Sequence, residues 1–185
     1  APGFALFETM HATRDGCALL DRHLKRLSSS AAVLGFRFDE AGLRARIIDE
    51  CATLDQDKDY RLRAALDADG KLQLQAAPVA PLTQPVRVLL SPVTMHAGDR
   101  LLAHKTTLRK IYDEGWKAAE AVGAFDMLFF NERGELTEGE RARCVRETCL
   151  PPSWAPYARR AVEVGTVCGK FENFIDGSFW GGMDE

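Results

Sequence analysis

The chain has 185 residues, which is enough for one large domain or two small ones with a substantial buried core. Its composition is 46% hydrophobic and 28% charged, typical of a globular protein, and excludes a disordered or collagen-like chain. The formal net charge of -3 argues against a nucleic-acid partner, and no apolar run reaches the roughly 20 residues of a membrane helix.

The cysteines and the first residues favour a cytoplasmic protein. The five cysteines are an odd number without a C-x-x-C pair or histidines at metal spacing, so we predict no metal site and a reducing compartment. The chain opens APGFALFETM, without an initiator Met or a signal peptide. We therefore expect a fragment or the tail of a longer polypeptide.

The first eighty residues predict the element order β-β-α-α-β-β. Residues 4–13 and the CALL segment form a hairpin around Asp15-Gly16, and leucines at helical spacing predict a helix that ends before Gly35. Asp39 is the predicted cap of a second helix that runs to Cys51. The segments DYRLRAALD and KLQLQAAPV predict a second hairpin across Asp69-Gly70.

A domain boundary is predicted near residue 80, where PVAPLTQP contains three prolines. The first domain is then 1–80, an α/β layer domain, and the second is 81–185. In the second we predict a strand at VRVLLSPV, a helix from about Thr106 to Val122, a strand at FDMLFFN and a turn at NERG leading into ELTEG. The tail from about residue 141 shows neither helical nor strand periodicity.

Lys105 is the first candidate for chemistry, because it precedes two threonines at the predicted helix start. A helix N-terminus disfavours an ammonium ion, and a neutral amine can form a Schiff base. A solvated surface lysine is the alternative. Glu138, at the end of the predicted hairpin, is either a surface acid or a partner for the protonated nitrogen of a pyridine ring.

Four segments in this order resemble a known family: FETM, LLDRHLKRL..SAAVLGF, HKTTLRKIYD and FFNERGELTEG. They are similar to the fold-type IV pyridoxal-phosphate enzymes, which include branched-chain and D-amino-acid aminotransferases and 4-amino-4-deoxychorismate lyase. The likeness covers roughly residues 3 to 140 and is strongest to the lyase, particularly the form fused to para-aminobenzoate synthase component I. The resemblance implies an α+β fold in two domains, with the cofactor in the interdomain cleft.

The resemblance also assigns roles to individual residues. Lys105 matches the Schiff-base lysine, Glu138 the glutamate at the pyridine nitrogen, and Arg26 the arginine at the cofactor phosphate. Arg26 could instead pair with a helix-surface acid such as Asp21 or Asp39. The other predicted site residues are Glu8 and Thr9, on a strand that borders the substrate pocket, and Arg61 and Arg63, which would receive substrate carboxylates.

For Glu8 and Thr9 strand packing is the alternative, and for Arg61 and Arg63 a solvated sheet face.

After TEG the chain departs from the family pattern, so we expect a truncated barrel-like second domain and an incomplete phosphate site. The expected function is pyridoxal-phosphate-dependent conversion of 4-amino-4-deoxychorismate to p-aminobenzoate and pyruvate, in folate biosynthesis. An aminotransferase of the branched-chain or D-amino-acid type and a non-catalytic domain without cofactor are the alternatives. The expected assembly is a homodimer.

Overall fold

The computed structural model describes residues 3–79, 86–134, 137 and 164–167. The chain forms two compact units. Among the described residues, the first unit contains 3–79 and 100–108, and the second contains 86–99, 109–134, Thr137 and 164–167. Residues 100–108 therefore pack with the first unit although they follow the second unit's first strand. The domain limits 1–80 and 81–185 stay a prediction, since the predicted linker lies mostly outside the described residues.

The first unit is an antiparallel sheet covered on one face by two helices. Its elements are β1 (Leu6–Thr13), β2 (Gly16–Cys17), α1 (Leu20–Leu34), α2 (Glu40–Ala52), β3 (Tyr60–Leu66) and β4 (Leu72–Pro78). The strand order is β2-β1-β3-β4. This confirms the predicted order β-β-α-α-β-β, although the return strand of the first hairpin is only two residues long.

Caps and turns explain where these elements end. Gly35 follows α1 with a φ of 74°, a left-handed conformation that glycine adopts without strain. The Asp39 side chain accepts a hydrogen bond from the Gly42 N–H and so caps α2. Gly70, with a φ of 87°, turns the chain between β3 and β4. These three predicted boundary signals are confirmed.

The core of the first unit lies between the sheet and the helices. Alternate residues of β1 and β3 point into it, among them Leu6, Met10 and Leu62, which are fully buried. Leu24 of α1 and Ile47 of α2 meet them at 1% exposure each. The opposite face of the same strands consequently carries the residues at odd positions.

The second unit contains β5 (Val86–Met95), α3 (Lys110–Ala121), β6 (Asp126–Asn131) and β7 (Val164–Val167). Its strand order is β6-β5-β7, with β5 parallel to β6 and antiparallel to β7. The pairing of β5 with β6 shifts register between Leu90 and Thr94, around Pro92, which has no N–H to donate. β7 lies in the tail, where the sequence showed no periodicity. A strand of four residues is too short to produce a recognisable alternation.

The predicted helix from about Thr106 to Val122 is wrong at its start. A 3-10 helical turn spans Arg100–Ala103, and α3 begins only at Lys110. Thr106 instead forms an isolated antiparallel bridge with Leu6, and extended backbone suits its β-branched side chain. The turn after β6 is confirmed, since the Gly134 N–H donates to the Asn131 carbonyl at 2.9 Å. Within the described residues, no helix is long and apolar enough to cross a membrane.

Candidate functional site

The segment that carries Lys105 lies alongside the first residues of β1. The Phe7 N–H donates to the Lys105 carbonyl at 3.0 Å, and the Thr107 N–H donates to the Ala5 carbonyl at 2.8 Å. The Ala5 N–H donates to the Thr107 hydroxyl at 2.9 Å. Lys105 therefore projects from a backbone segment that is hydrogen-bonded to residues 5–7 at the start of β1.

This placement changes the argument for a reactive amine. Lys105 is five residues from the first residue of α3, so it does not lie at a helix N-terminus. The helix-start reason for a neutral amine therefore does not apply, because the macrodipole acts within the first turn. The prediction that Lys105 is the cofactor lysine now depends on the resemblance and on the surroundings of its side chain.

The side chain of Lys105 converges with Arg63 on one aromatic ring. The Lys105 Nζ lies 5.6 Å from the centroid of the Phe7 ring, and the Arg63 guanidinium carbon lies 4.5 Å from it. Phe7 is 7% exposed, whereas Lys105 and Arg63 are half-buried. Cations are attracted to the face of an aromatic ring at such distances. Phe7 thus brings two basic groups from distant parts of the sequence to one place.

The register of β1 and β3 extends this cluster along one face of the sheet, which we call the polar face. Thr9 pairs with Arg63, and His11 pairs with Arg61, so these four residues lie on the same side as Phe7. The His11 ring is held by Asp59, with Nε2 and Oδ1 2.8 Å apart. Arg61 is exposed and Thr9 is half-buried. The polar face therefore carries hydroxyl, imidazole and guanidinium groups, of which the Arg63 guanidinium shares the Phe7 ring with Lys105.

Glu8 and Arg26 lie on the other face, which packs against α1. Glu8 is 2% exposed, and its carboxylate accepts hydrogen bonds from the Arg26 Nε at 2.7 Å and from the Arg26 Nη2. The His23 Nδ1 lies 3.1 Å from the same carboxylate. Because neighbouring strand residues point to opposite faces, Glu8 does not share the polar face with Thr9. The acid that pairs with Arg26 is thus Glu8, which was predicted to border the substrate pocket but not as the partner of Arg26, rather than Asp21 or Asp39.

Two histidines with a structural role escaped sequence reasoning. His23 lies three residues before Arg26 on α1, and that helical spacing was the available signal. His104 precedes Lys105, and its Nδ1 lies 2.9 Å from the hydroxyl of the buried Ser30 on α1. The two partners are 74 residues apart, and no local pattern could have indicated their contact. This contact fixes the Lys105 segment to α1 as well as to β1.

The structure brings together four of the seven predicted site residues. Lys105, Thr9, Arg61 and Arg63 lie on or beside the polar face. Glu8 and Arg26 form an ion pair behind it. Glu138 lies outside the described residues, although Thr137 is anchored by its N–H and hydroxyl to the Phe129 carbonyl. The functional roles of all seven stay predictions.

Comparison with known proteins identifies the family. The family described as Amino-transferase class IV matches residues 5–143, which include every predicted site residue. The chain belongs to this family. Its members are the fold-type IV pyridoxal-phosphate enzymes, so the resemblance from which the cofactor was predicted is confirmed. A search of curated proteins found no match.

Solved structures with the same fold are named for two reactions. A "Putative amino-acid aminotransferase" from Mesorhizobium loti is 34% identical, with a TM-score of 0.66, over 75% of this chain and 68% of that one. A "Putative 4-amino-4-deoxychorismate lyase" from Legionella pneumophila is 22% identical, with a TM-score of 0.61, over 72% and 55%. An aminotransferase from Brucella abortus, described as bound to PLP, is 18% identical, with a TM-score of 0.58, over 77% and 58%.

The chain spans little more than half the length of the Legionella and Brucella proteins and about two thirds of the Mesorhizobium protein. The likenesses to the Legionella and Brucella proteins, at 22% and 18% identity, show the fold alone. The mixed helix and sheet architecture of this family is as expected from the resemblance, and the individual reaction is a separate question.

Proposed function

We propose that this chain carries the lysine-bearing part of a pyridoxal-phosphate lyase that converts 4-amino-4-deoxychorismate to p-aminobenzoate and pyruvate. The observation that carries the proposal is the convergence of Lys105 and Arg63 on Phe7, with Thr9 and Arg61 on the same face. The substrate has an amine and two carboxylates. The two guanidinium groups match the two carboxylates, and Lys105 would hold the cofactor that takes up the amine.

The residues near Lys105 fit the cofactor of the family. A half-buried amine on a hydrogen-bonded backbone is suited to hold an aldehyde group covalently. By resemblance, Glu138 would contact the pyridine nitrogen and Arg26 the phosphate, for which Arg26 would have to extend past the Glu8 carboxylate that holds it behind the polar face. The bound cofactor would withdraw electrons from the substrate carbon that carries the amine.

Lys105 would also move a proton. Once the substrate amine has replaced it on the cofactor, the freed Lys105 Nζ, close to the buried ring of Phe7, would take the proton from the substrate carbon that carries the amine and deliver it as pyruvate leaves. The half-buried hydroxyl of Thr9 lies on the same face and would orient the reacting groups. Partial exclusion of water from this place strengthens each polar contact.

Arg61 and Arg63 would bind the two carboxylates. They are two residues apart on β3, which places them about 7 Å apart on one face. A guanidinium binds a carboxylate through two parallel hydrogen bonds, which a lysine cannot reproduce. Arg63 would be the more rigidly positioned of the two arginines, because its guanidinium packs over the Phe7 ring.

The experiment measures pyruvate release by the purified chain with added pyridoxal phosphate and 4-amino-4-deoxychorismate, without any keto acid. We expect release, and we expect Arg63→Gln to raise KM by about 10-fold or more, the loss of a charged hydrogen-bonding group. Arg44→Gln is the matched control, since that arginine pairs with Asp21 and Glu40 on the helices. A protein that stays colourless with the cofactor and releases no pyruvate would support the non-catalytic alternative.

The second candidate is an amino-acid aminotransferase. It is favoured by one observation, the 34% identity to the Mesorhizobium protein of that name. An aminotransferase needs an amino donor and a keto-acid acceptor such as 2-oxoglutarate to complete turnover. Activity that appears only with such a pair would establish this reaction and overturn the lyase.

We also propose a homodimer, as in the resemblance. Exposed apolar side chains are available for a contact, including Val33 at 60% and Leu108 at 55% exposure. Light scattering at micromolar concentration should give twice the 20.5 kDa mass of the chain. A monodisperse monomer would contradict it.

A further inference from the structure

Two cysteines from distant parts of the sequence meet in the first unit. Cys17 lies in β2, Cys51 lies in the last turn of α2, and the two are 34 residues apart. Their Sγ atoms are 3.5 Å apart, and both thiols are free. A disulfide has an S–S distance of about 2.05 Å, so the two sulfurs need to approach by only about 1.5 Å.

The two sulfurs differ in access. Cys51 is 1% exposed, whereas Cys17 is half-buried. An open cleft of about 710 Å³ borders the turn Thr13–Asp15, which precedes β2, and Ala52, which follows Cys51. Its lining includes Arg14 and Lys58 as well as aspartates, so it presents both signs of charge. A small zwitterionic reagent can therefore occupy the cleft beside the pair, and it would reach the sulfurs through the half-buried Cys17, since neither cysteine lines the cleft itself.

The sulfurs share one hydrogen bond in which either can be the donor. Donation from Cys17 to Cys51, together with burial, raises the pKa of Cys17. Acceptance of that hydrogen bond lowers the pKa of Cys51. The pair therefore loses its first proton more easily than its second, and the remaining proton lies between the two sulfurs.

We propose that Cys17 and Cys51 are an oxidation site, at which a low-molecular-weight peptide disulfide converts the two thiols into a reversible intramolecular disulfide. When the shared proton is on the Cys51 sulfur, the half-buried Cys17 sulfur is the thiolate; it attacks one sulfur of the reagent, forms a mixed disulfide and releases one thiolate. The Cys51 thiolate then attacks the Cys17 sulfur and releases the second. The two cysteines are oxidised, the reagent is reduced to two thiols, and the two cysteine protons end on those thiols.

The new bond would close a loop that contains the whole of α1 and most of α2. Cross-linking such a loop restricts the unfolded chain, so the oxidised protein should be the more stable form. The loop includes His23 and Arg26, which bind Glu8, so the bond would hold the helix that supports β1. This site lies apart from the polar face and does not depend on the proposed reaction.

The test uses the full chain with Cys144, Cys149 and Cys168 changed to serine and oxidised glutathione as the reagent. We expect a mass lower by two hydrogens, a cross-linked peptide pair that contains Cys17 and Cys51, and a Tm higher by about 5 °C or more, reversed by dithiothreitol. The unchanged chain, mapped in parallel, should contain the same cross-link.

Two matched variants separate the steps. Cys51→Ser should stop at a glutathione adduct on Cys17, while Cys17→Ser should react slowly because Cys51 is buried. Both thiols remaining alkylatable after long incubation would overturn the proposal. A stable adduct on Cys17 in the presence of Cys51, or a lower Tm after cross-linking, would overturn it as well.

Discussion

The sheets of the two units differ in how their strands are buried. In β3 the residues alternate, so that Leu62 is buried while Arg61 is exposed and Arg63 is half-buried. In β6 all six residues are buried. An alternating strand keeps one face available for polar chemistry, whereas a uniformly buried strand is packed on both sides and serves as scaffold. The candidate site belongs to the first kind, and changes in the two units should have different effects.

The largest expected effect is the loss of cofactor attachment and turnover in Lys105→Ala, at the polar face of the first unit. The variant should fold, because the lysine side chain is only half-buried and its backbone hydrogen bonds remain. Borohydride reduction in the presence of pyridoxal phosphate should attach the cofactor to the peptide with Lys105 in the parent and to none in the variant, which should also lack turnover.

Lys110→Ala is the control, since that side chain is 88% exposed and lies 3.6 Å from Glu114. It should keep both the label and the activity. Labelling of Lys110 in the parent, or of no lysine with cofactor in excess, would show that the family motif does not identify the reactive amine.

Glu138→Gln should lower turnover by about 100-fold, or roughly 3 kcal/mol of transition-state stabilisation, while cofactor still binds. The reason is the loss of a negative charge that would keep the pyridine nitrogen protonated. Steady-state kinetics and the visible spectrum measure the two quantities. Unchanged kinetics would make Glu138 a surface acid.

The neighbours Glu8 and Thr9 test the alternation directly. Glu8→Ala should cost about 3 kcal/mol of unfolding free energy, because Arg26 and the buried His23 lose their common acceptor. Thr9→Ala should cost less than about 1 kcal/mol but reduce turnover, since its hydroxyl lies on the polar face. Urea unfolding and kinetics on both variants measure the difference. Equal losses of stability would mean that the two faces are not distinct.

The elements of the first unit could be predicted because their signals are local. The leucine spacing of α1 and the glycines at residues 35 and 70 act within a few residues of their own position. The start of α3 could not, since Thr106 and Thr107 are drawn into extended backbone by hydrogen bonds to residues about 100 positions earlier. The local sequence favoured a helix here, but hydrogen bonds to a distant segment, which the sequence does not indicate, decided the backbone conformation.

The candidate site also has features that could be predicted from the sequence and features that could not. Alternation alone places Arg61 and Arg63 on one face, as predicted. The same rule separates Glu8 from Thr9, but the partners of Glu8 became known only through packing of α1 on β1. The contact between Ser30 and His104 is long-range, and the role of Lys105 came from the resemblance rather than from its surroundings.

The smallest expected effect is that of Gly115→Ala in the scaffold of the second unit. A Cβ there would lie 2.7 Å from the Phe129 Cζ and 3.1 Å from the Met127 Sδ, so α3 and β6 would have to separate slightly. Overpacking costs about 1–3 kcal/mol, and alanine recovers up to about 1 kcal/mol through its higher helix propensity. The net loss of unfolding free energy should be about 1 kcal/mol, measured as a lower urea midpoint.

Gly98→Ala is the control, since no atom lies within 4 Å of its Cβ position, and it should change stability by less than about 0.5 kcal/mol. A stability gain in Gly115→Ala would mean that α3 packs less closely on β6 than the structure shows, so that the second unit would not be the tightly packed scaffold that the burial of β6 indicates.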